Sequence, residues 1–315
     1  MTRVAAVTGA TGFVGSHIVG RLARSGWQVR ILTRRLPVNA HYGDSAVEAV
    51  IGTLEDRQAV ANLVANADAV IHAAGKVKAR SHAEFFATNA AGTRLLVEAA
   101  LATGRRPRFL LISSLAARQP GISDYAASKL AGEAELTRLD GGLPWSILRP
   151  PAVYGPGDRE TLKFFRTLRI GIALLPPAHD ARLSLMHVSD LAAAAAAALE
   201  ATTIDSRIFE IDDGHCGGYS WDDLVRTAAR HLDLRPLRLR IPGSLLTAFA
   251  HANAAAQRLA GATAMVTPGK VREFLHRDWT ARDAALTAAT SWQPTIGLDE
   301  GFAETIAWYR RHHWL

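Results

Sequence analysis

Five short runs rich in Val, Ile and Leu punctuate the first half of the chain: VAAVTG (4–9), VRILT (29–33), AVIHAA (69–74), FLLISS (109–114) and WSILRP (145–150). The longer stretches between them, such as HIVGRLARSG and GTRLLVEAALATG, space their apolar residues with a helical period. Continuous apolar runs of this length read as strands buried on both faces, and a helix between successive strands is the connection parallel pairing needs. The expected class is α/β: a doubly wound parallel sheet with helices on both faces and ligands held beyond the carboxyl ends of the strands.

After residue 150 the rhythm breaks into Gly/Pro turns (PPAVYGPGD, LPPAHD). It resumes once, with an alanine-rich helix at 189–200, N-capped by Ser189 or Asp190, and the strand RIFEID. The rest reads as helices with irregular connections and a Trp-rich end. The expected division is a sheet domain of 1–155 plus about 186–212, and a smaller, mostly helical C-terminal lobe of about 156–185 plus 213–315 that holds the substrate.

With 49% hydrophobic and 21% charged residues, the 315-residue chain is a globular protein in composition. Its formal charge of +7 invites a nucleic-acid reading, but the arginines fall in scattered groups (Arg34-Arg35, Arg105-Arg106, Arg235 to Arg240, Arg310-Arg311) without an aromatic-laced stripe. An anionic cofactor or substrate is the better use for that charge, and no nucleic-acid partner is expected. One cysteine, Cys216, excludes an internal disulfide and a cysteine-cluster metal site and suits a reducing compartment. The N-terminus turns to glycine too early for a signal peptide. The most apolar stretch, 243–261, carries His251, Asn253, Gln257 and Arg258, so no membrane span is expected and the reading is cytoplasmic.

Gly9, Gly12 and Gly15 lie between the first strand and the first helix, in the spacing G-x-x-G-x-x-G. Glycines there let the backbone approach a pyrophosphate, and the helix N-terminus supplies free N–H groups and partial positive charge. The second strand ends at Thr33, followed by Arg34 and Arg35, where NAD-preferring folds set an acid against the ribose hydroxyls. Two guanidiniums suit a 2′-phosphate, so NADP(H) is expected over NAD(H), with Arg34 on the phosphate.

Tyr125 and Lys129, four positions apart, share one face of a helix beginning near Ser123-Asp124. A phenol is a weak acid-base group at neutral pH, but a neighbouring ammonium favours its phenolate. Tyr125 is thus suited to give a proton to a carbonyl oxygen as hydride reaches the carbon, or to take one in reverse.

In this order, TGATGFVG, VIHAAG (70–75), ISS (112–114), YAASK (125–129) and LRPPAVYGPGD (148–158) resemble the extended short-chain dehydrogenase/reductase family, also called the NAD(P)-dependent epimerase/dehydratase family. The likeness covers the first 190 residues closely; the tail TSWQPTIGLDEGFAETIAWYR is similar more loosely. It implies a Rossmann-like NAD(P)-binding domain. Through the matching motifs it implies Thr11, Phe13, Val14, Ala73, Ala74, Pro150 and Val153 as further cofactor contacts, beside the glycines, the arginines and Lys129 at the nicotinamide ribose. The same resemblance makes Ser114, with Ser113 as the fallback, the hydroxyl that holds the substrate oxygen, and Asn89 of FFATNAAGT the residue that fixes backbone or water near the site. His72 and His187 are read as packing or hydrogen-bonding residues, and no metal is expected. Only eleven positions separate Ser114 from Tyr125, fewer than extended members commonly have, which implies a more open mouth and an atypical branch.

The resemblance also orders the reactions. Sugar-nucleotide dehydratases carry Thr-Asp-Glu after the fourth strand, where this chain has Ser114-Leu115-Ala116. Nucleotide-sugar epimerases carry an Asn for the substrate diphosphate where this chain has Ala152, and Arg149-Pro150-Pro151 is more like the branch of 3β-hydroxysteroid dehydrogenases and dihydroflavonol-type reductases. The leading expectation is an NADP(H)-dependent oxidoreductase acting on a small-molecule ketone, aldehyde or secondary alcohol. The alternatives are a nucleotide-sugar epimerase with tightly bound NAD and a non-catalytic NADP(H)-binding regulator or assembly factor. The pocket is expected in irregular segments 76–88, 155–185 and 215–280, with the 239–261 segment either an apolar wall or an ordinary core helix; a homodimer is compatible with the pattern.

Overall fold

The computed structural model describes residues 2–36, 47–139, 141–259, 267–282 and 284–315. Strand β1 (Val4–Thr8) runs through the glycine turn into helix α1 (Phe13–Arg24), followed by β2 (Gln28–Thr33), β3 (Val47–Ile51), α2 (Arg57–Val64) and β4 (Ala69–His72). Helix α3 (His82–Phe86), a π turn over Ala87–Ala91 and α4 (Gly92–Ala102) lead to β5 (Arg108–Ile112), and α5 (Asp124–Leu139) leads to β6 (Trp145–Arg149). With Arg207–Glu210 as a seventh strand, the sheet is wholly parallel, in the order 207–210, β6, β5, β4, β1, β2, β3.

The expected doubly wound sheet is present. Its growth reverses between β1 and β4, so the carboxyl ends of these two strands form the switch point where such sheets bind ligands. Every residue of β4 is buried, as a central parallel strand requires. Strand β3 has no counterpart among the five expected runs. It lies at the sheet edge, and its half-exposed VEAVI carries a Glu where a doubly covered strand would be apolar.

Local chemistry fixes the helix starts near the switch point. Asp56 accepts hydrogen bonds from Gln58 N and Ala59 N to open α2, and the Ser123 hydroxyl accepts one from Ala126 N at the start of α5. The alanine-rich helix spans Val188–Glu200, so Ser189 and Asp190 fall inside its first turn rather than at the N-cap. Asp190 instead accepts from Thr295 N and Ile296 N.

The chain divides into two compact units, Met1–Pro150 with Leu191–Glu210 and Asp283–Gln293, and Pro151–Asp190 with Ile211–Arg282 and Pro294–Leu315. The second unit is more regular than expected. The 155–185 segment contains helix Arg159–Arg169, and the 215–280 segment contains Trp221–Leu232, opened by a reciprocal capping box between Ser220 and Asp223. Short strands pair within it, including Ile172–Leu175 with Leu237–Arg240. Its core is aromatic: Phe302 meets Phe165 and Tyr154 edge-on, with ring centroids 5.1 and 5.2 Å apart. Gly301 makes this possible, since a Cβ there would lie 2.2 Å from the Tyr154 hydroxyl. Among the described residues no helix is long and apolar enough to cross a membrane.

Candidate active site

The glycine turn is packed to the limit of what backbone alone allows. Gly9 has φ +73°, and a Cβ on it would come within 2.5 Å of Ala74 N and 2.6 Å of Ala73 C at the end of β4. A Cβ on Gly15 would lie 2.1 Å from Gly9 O. Gly12 is the N-cap of α1, with no capping side chain and no acid in the first turn, and Thr11 beside it is exposed. Backbone N–H groups and positive helix potential therefore face outward where no side chain competes for them, which fits a dinucleotide diphosphate. Phe13 and Val14 open α1, half-buried behind this cradle.

From the cradle, contacts lead directly to the expected catalytic groups. A Cβ on Gly75, one residue beyond Ala74, would lie 3.3 Å from Asn89 Oδ1 and 3.7 Å from Lys129 Nζ. Asn89 is 4% exposed: its Oδ1 accepts from Lys76 N (2.8 Å), and its Nδ2 donates to Lys76 O (3.1 Å) and to Ser128 Oγ (2.8 Å). It thus ties the loop after β4 to α5. The π turn that presents Asn89 is one extra residue wound into the helix, a distortion that often marks functional sites.

Lys129 is buried, and its Nζ donates to Ile112 O at 2.8 Å, where β5 ends. Loss of water around the ammonium, partly offset by the Glu133 carboxylate, lowers its pKa to about 8. Tyr125 stands one turn earlier on the same helix, half-buried, its ring 6.3 Å from that of Phe85. Glu133, one turn later, is 2% exposed and had no role assigned from sequence. It accepts a two-pronged pair from Arg149 (Nε at 2.9 Å, Nη2 at 2.5 Å) and a short hydrogen bond from the Ser113 hydroxyl. The signal was available as the i+8 continuation of the Tyr125-Lys129 face.

This network separates the two serines. Ser113 is turned into the buried Glu133–Arg149 cluster. Ser114 is half-exposed and N-caps the 3₁₀ turn Leu115–Arg118, its Oγ accepting from Ala116 N, which leaves its proton for another acceptor. The short Ser114-to-Tyr125 connection is filled by that turn, the Gln119–Ile122 bend and the Ser123 cap. Arg118 fastens it to Glu210 at 3.0 Å.

His72 bridges Thr8 Oγ1 (2.6 Å) and Thr93 Oγ1 (3.1 Å), and burial, reinforced by the Lys129 charge, drops its pKa to about 3. It is a neutral structural link between β1, β4 and α4. His187 packs edge-on against Tyr154, ring centroids 5.4 Å apart. Pro150 closes the site's strand by accepting from Leu115 N (2.9 Å), while Val153 sits in the second unit, in strand Ala152–Tyr154. Arg34 and Arg35 follow β2 as exposed residues, and the Thr33 hydroxyl donates to Arg35 O at 2.6 Å.

Residues 5–211 match the model of the NAD dependent epimerase/dehydratase family. A ceramide reductase of Caulobacter vibrioides is 40% identical over 99% of this chain and 96% of its own length. A UDP-glucose 4-epimerase of Vibrio cholerae is 25% identical over 95% of this chain and 93% of its own. Among solved structures, MoeE5 in complex with UDP-glucuronic acid and NAD superposes with a TM-score of 0.76 at 24% identity, covering 98% of this chain and 99% of that one.

These findings correct two expectations. The preference for NADP(H) over NAD(H) is overturned: MoeE5 and further solved relatives are complexes with NAD. The physical flaw lay in reading a missing acid as selectivity. Exposed Arg34 and Arg35 attract a 2′-phosphate but put no charge against a bare ribose, so they do not exclude NAD. The NADP(H)-dependent oxidoreductase of broad carbonyl and alcohol scope was argued in part from that preference and falls with it. The same relatives back the epimerase alternative better. What stands is an enzyme of oxidoreductase type with the family's motifs in place along two thirds of its length, and the chain belongs to the NAD dependent epimerase/dehydratase family.

Proposed function

We propose that the chain is a reductase of the ceramide class of lipids, converting an N-acylated long-chain amino ketone to the corresponding amino alcohol at the expense of NADH. The observation that carries this reading is the 40% identity to a ceramide reductase over 99% of the chain. It replaces the cofactor of the corrected expectation and confines the substrate to one lipid class. Position 152 supports it: a diphosphate-bearing substrate calls for a polar side chain there, and the chain offers the exposed methyl of Ala152.

Gly9, Gly12, Gly15 and the first turn of α1 would hold the diphosphate of the dinucleotide, beside the Ala73-Ala74 backbone that Gly9 packs against. Bound NADH supplies the hydride for the substrate's carbonyl carbon. Tyr125 gives its phenolic proton to the carbonyl oxygen, so that the added hydride and proton together make a secondary alcohol. Ser114 donates a hydrogen bond to the same oxygen as its charge grows. Lys129, with one of its three N–H groups on Ile112 O, holds positive charge one turn from Tyr125 and favours the phenolate left behind. Asn89 and the Glu133–Arg149 pair keep α5 fixed against the ends of β4 and β5.

A second reading, an epimerase that keeps its NAD and returns the hydride to a sugar nucleotide, is favoured by the whole-length likeness to UDP-glucose 4-epimerase. One experiment separates the two. The purified protein is incubated with NADH and an N-acyl long-chain amino ketone in detergent micelles, and separately with UDP-glucose. NADH consumption matched by a lipid product heavier by two hydrogens, lost in Tyr125→Phe, supports the lipid reductase. Interconversion of the UDP-sugar without net NADH use, with an inert lipid, refutes it in favour of the epimerase.

A further inference from the structure

Exposed large apolar side chains are not scattered over the protein. Of the ten among the described residues, six fall in two stretches of the second unit: Ile170, Leu174, Leu237, Leu239, Leu245 and Phe249. Strands Ile172–Leu175 and Leu237–Arg240 pair in parallel with Leu237 beside Ile172 and Leu239 beside Leu174. Paired residues share a face, so these four side chains form one apolar surface. The opposite face is settled: Ala173 and Leu175 are 1% exposed, and Arg238 and Arg240 both reach Asp222 of helix Trp221–Leu232. Register therefore puts Leu174, Leu237 and Leu239 on the exposed apolar face and Arg238 and Arg240 on the other side, where both meet Asp222.

The same chain continues into helix Gly243–Leu259 after only Ile241 and Pro242. In its first two turns Leu245 and Phe249, four apart and on one side, are 62% and 59% exposed. An exposed apolar surface of this kind marks an interaction site rather than ordinary surface.

Charge chooses the occupant. Because the strands are parallel, Arg169 and Arg235, which precede them, lie at the same end of the apolar face, exposed and without an ion pair among the described residues. Asp222 is met by two guanidiniums, and the one further acid of the connection into the second strand is Asp233. Positive charge thus remains in excess beside the leucines, on a chain of net charge +7. A second copy docked on this face would bring Arg169 and Arg235 of both copies into one interface with no matching excess of carboxylates. An anionic bilayer offers acyl chains to the apolar side chains and phosphates to the arginines.

We propose that this surface, the outward face of the two-stranded sheet with the first turns of the following helix, seats the protein on an anionic membrane. It lies in the plane of the headgroups without spanning the bilayer. The proposal stands on the surface itself and not on the substrate assigned above, although a lipid substrate would be met there.

The test is co-flotation of the purified protein with phosphatidylcholine vesicles, with and without phosphatidylglycerol, in the absence of any substrate. Wild type is expected to float with the anionic vesicles. The triple variant Leu237→Ser, Leu239→Ser, Phe249→Ser is expected to lose at least about tenfold in partitioning, equivalent to about 1.4 kcal/mol. Arg169→Ala and Arg235→Ala are each expected to lose about fivefold on anionic vesicles only. Near-ultraviolet circular dichroism, to which the tryptophans of the second unit contribute, and a cooperative thermal transition report whether each variant is folded. Failure of wild type to float overturns the proposal, as does a folded triple variant that floats equally well. So does a wild-type dimer that the triple variant converts to monomer, which would make the face a protein interface. None of these outcomes depends on turnover, so the membrane assignment and the substrate assignment fail separately.

Discussion

Each unit has an arginine–carboxylate cluster, and the two are built to different ends. In the sheet unit Arg149 and Glu133 are 15% and 3% exposed, and Ser113 completes the carboxylate's bonding at the carboxyl end of the sheet. In the second unit Arg238 and Arg240 share Asp222 at 48%, 21% and 27% exposure, under a strand whose other side shows bare leucine. The first cluster is a closed internal joint that holds α5, and with it Tyr125 and Lys129, against β5 and β6. The second draws polar groups to one side and leaves the other side apolar. Chemistry requires a fixed geometry, whereas a docking surface requires an unfilled one.

The largest expected effect that sharpens this contrast is on turnover. Tyr125→Phe removes the transferable proton and should lower kcat by about 10²–10⁴-fold with NAD affinity unchanged. Leu237→Ser in the second unit should leave kcat on a detergent-dispersed substrate at the wild-type value. Equal losses from both changes would erase the proposed separation between a chemical unit and a docking surface.

Next comes stability, read from denaturant unfolding. Glu133→Ala strands Arg149 in a buried site and should cost about 3–5 kcal/mol. Asp222→Ala, in the more exposed cluster, should cost no more than about 1 kcal/mol. If the two costs are alike, the clusters do not differ in kind.

The smallest effect is in pH dependence. Burial places the Lys129 pKa at about 8 in the folded protein, below the 10.5 of a free lysine. Between these values the unfolded chain holds the proton more tightly, so this group makes stability rise with pH, by at most about 1 kcal/mol per pH unit. Over the same range the charged form that assists Tyr125 is lost, and kcat/KM should fall above about pH 8. In Lys129→Met the stability slope between pH 8 and 10.5 should flatten; an unchanged slope would remove Lys129 as its source.

Much of the sheet unit was legible because its signals are local. Gly9, Gly12 and Gly15 are adjacent to the strand and helix they join, and Tyr125 and Lys129 need only one helical turn to meet. Strand β3 was missed because an edge strand need not be apolar on both faces. The NADP(H) assignment failed for a different reason, since attraction toward one ligand says nothing about repulsion of the other. The second unit was less legible still: its strands are two to four residues long, and beyond Ala152–Tyr154 they carry no motif, so their pairing gave no periodic signal.

By itself the sequence determined the parallel α/β class, the glycine cradle and the Tyr125-Lys129 face, because backbone freedom and helical period act over a few residues. Only the tertiary structure decided that Ser113 faces Glu133 while Ser114 keeps its proton for another acceptor. It alone decided that His72 is neutral between Thr8 and Thr93, and that Leu237 and Leu239 look outward. Those outcomes rest on partners 20 to 65 positions away, and the strength of a hydrogen bond or the loss of water around a charge is set by what folding brings alongside.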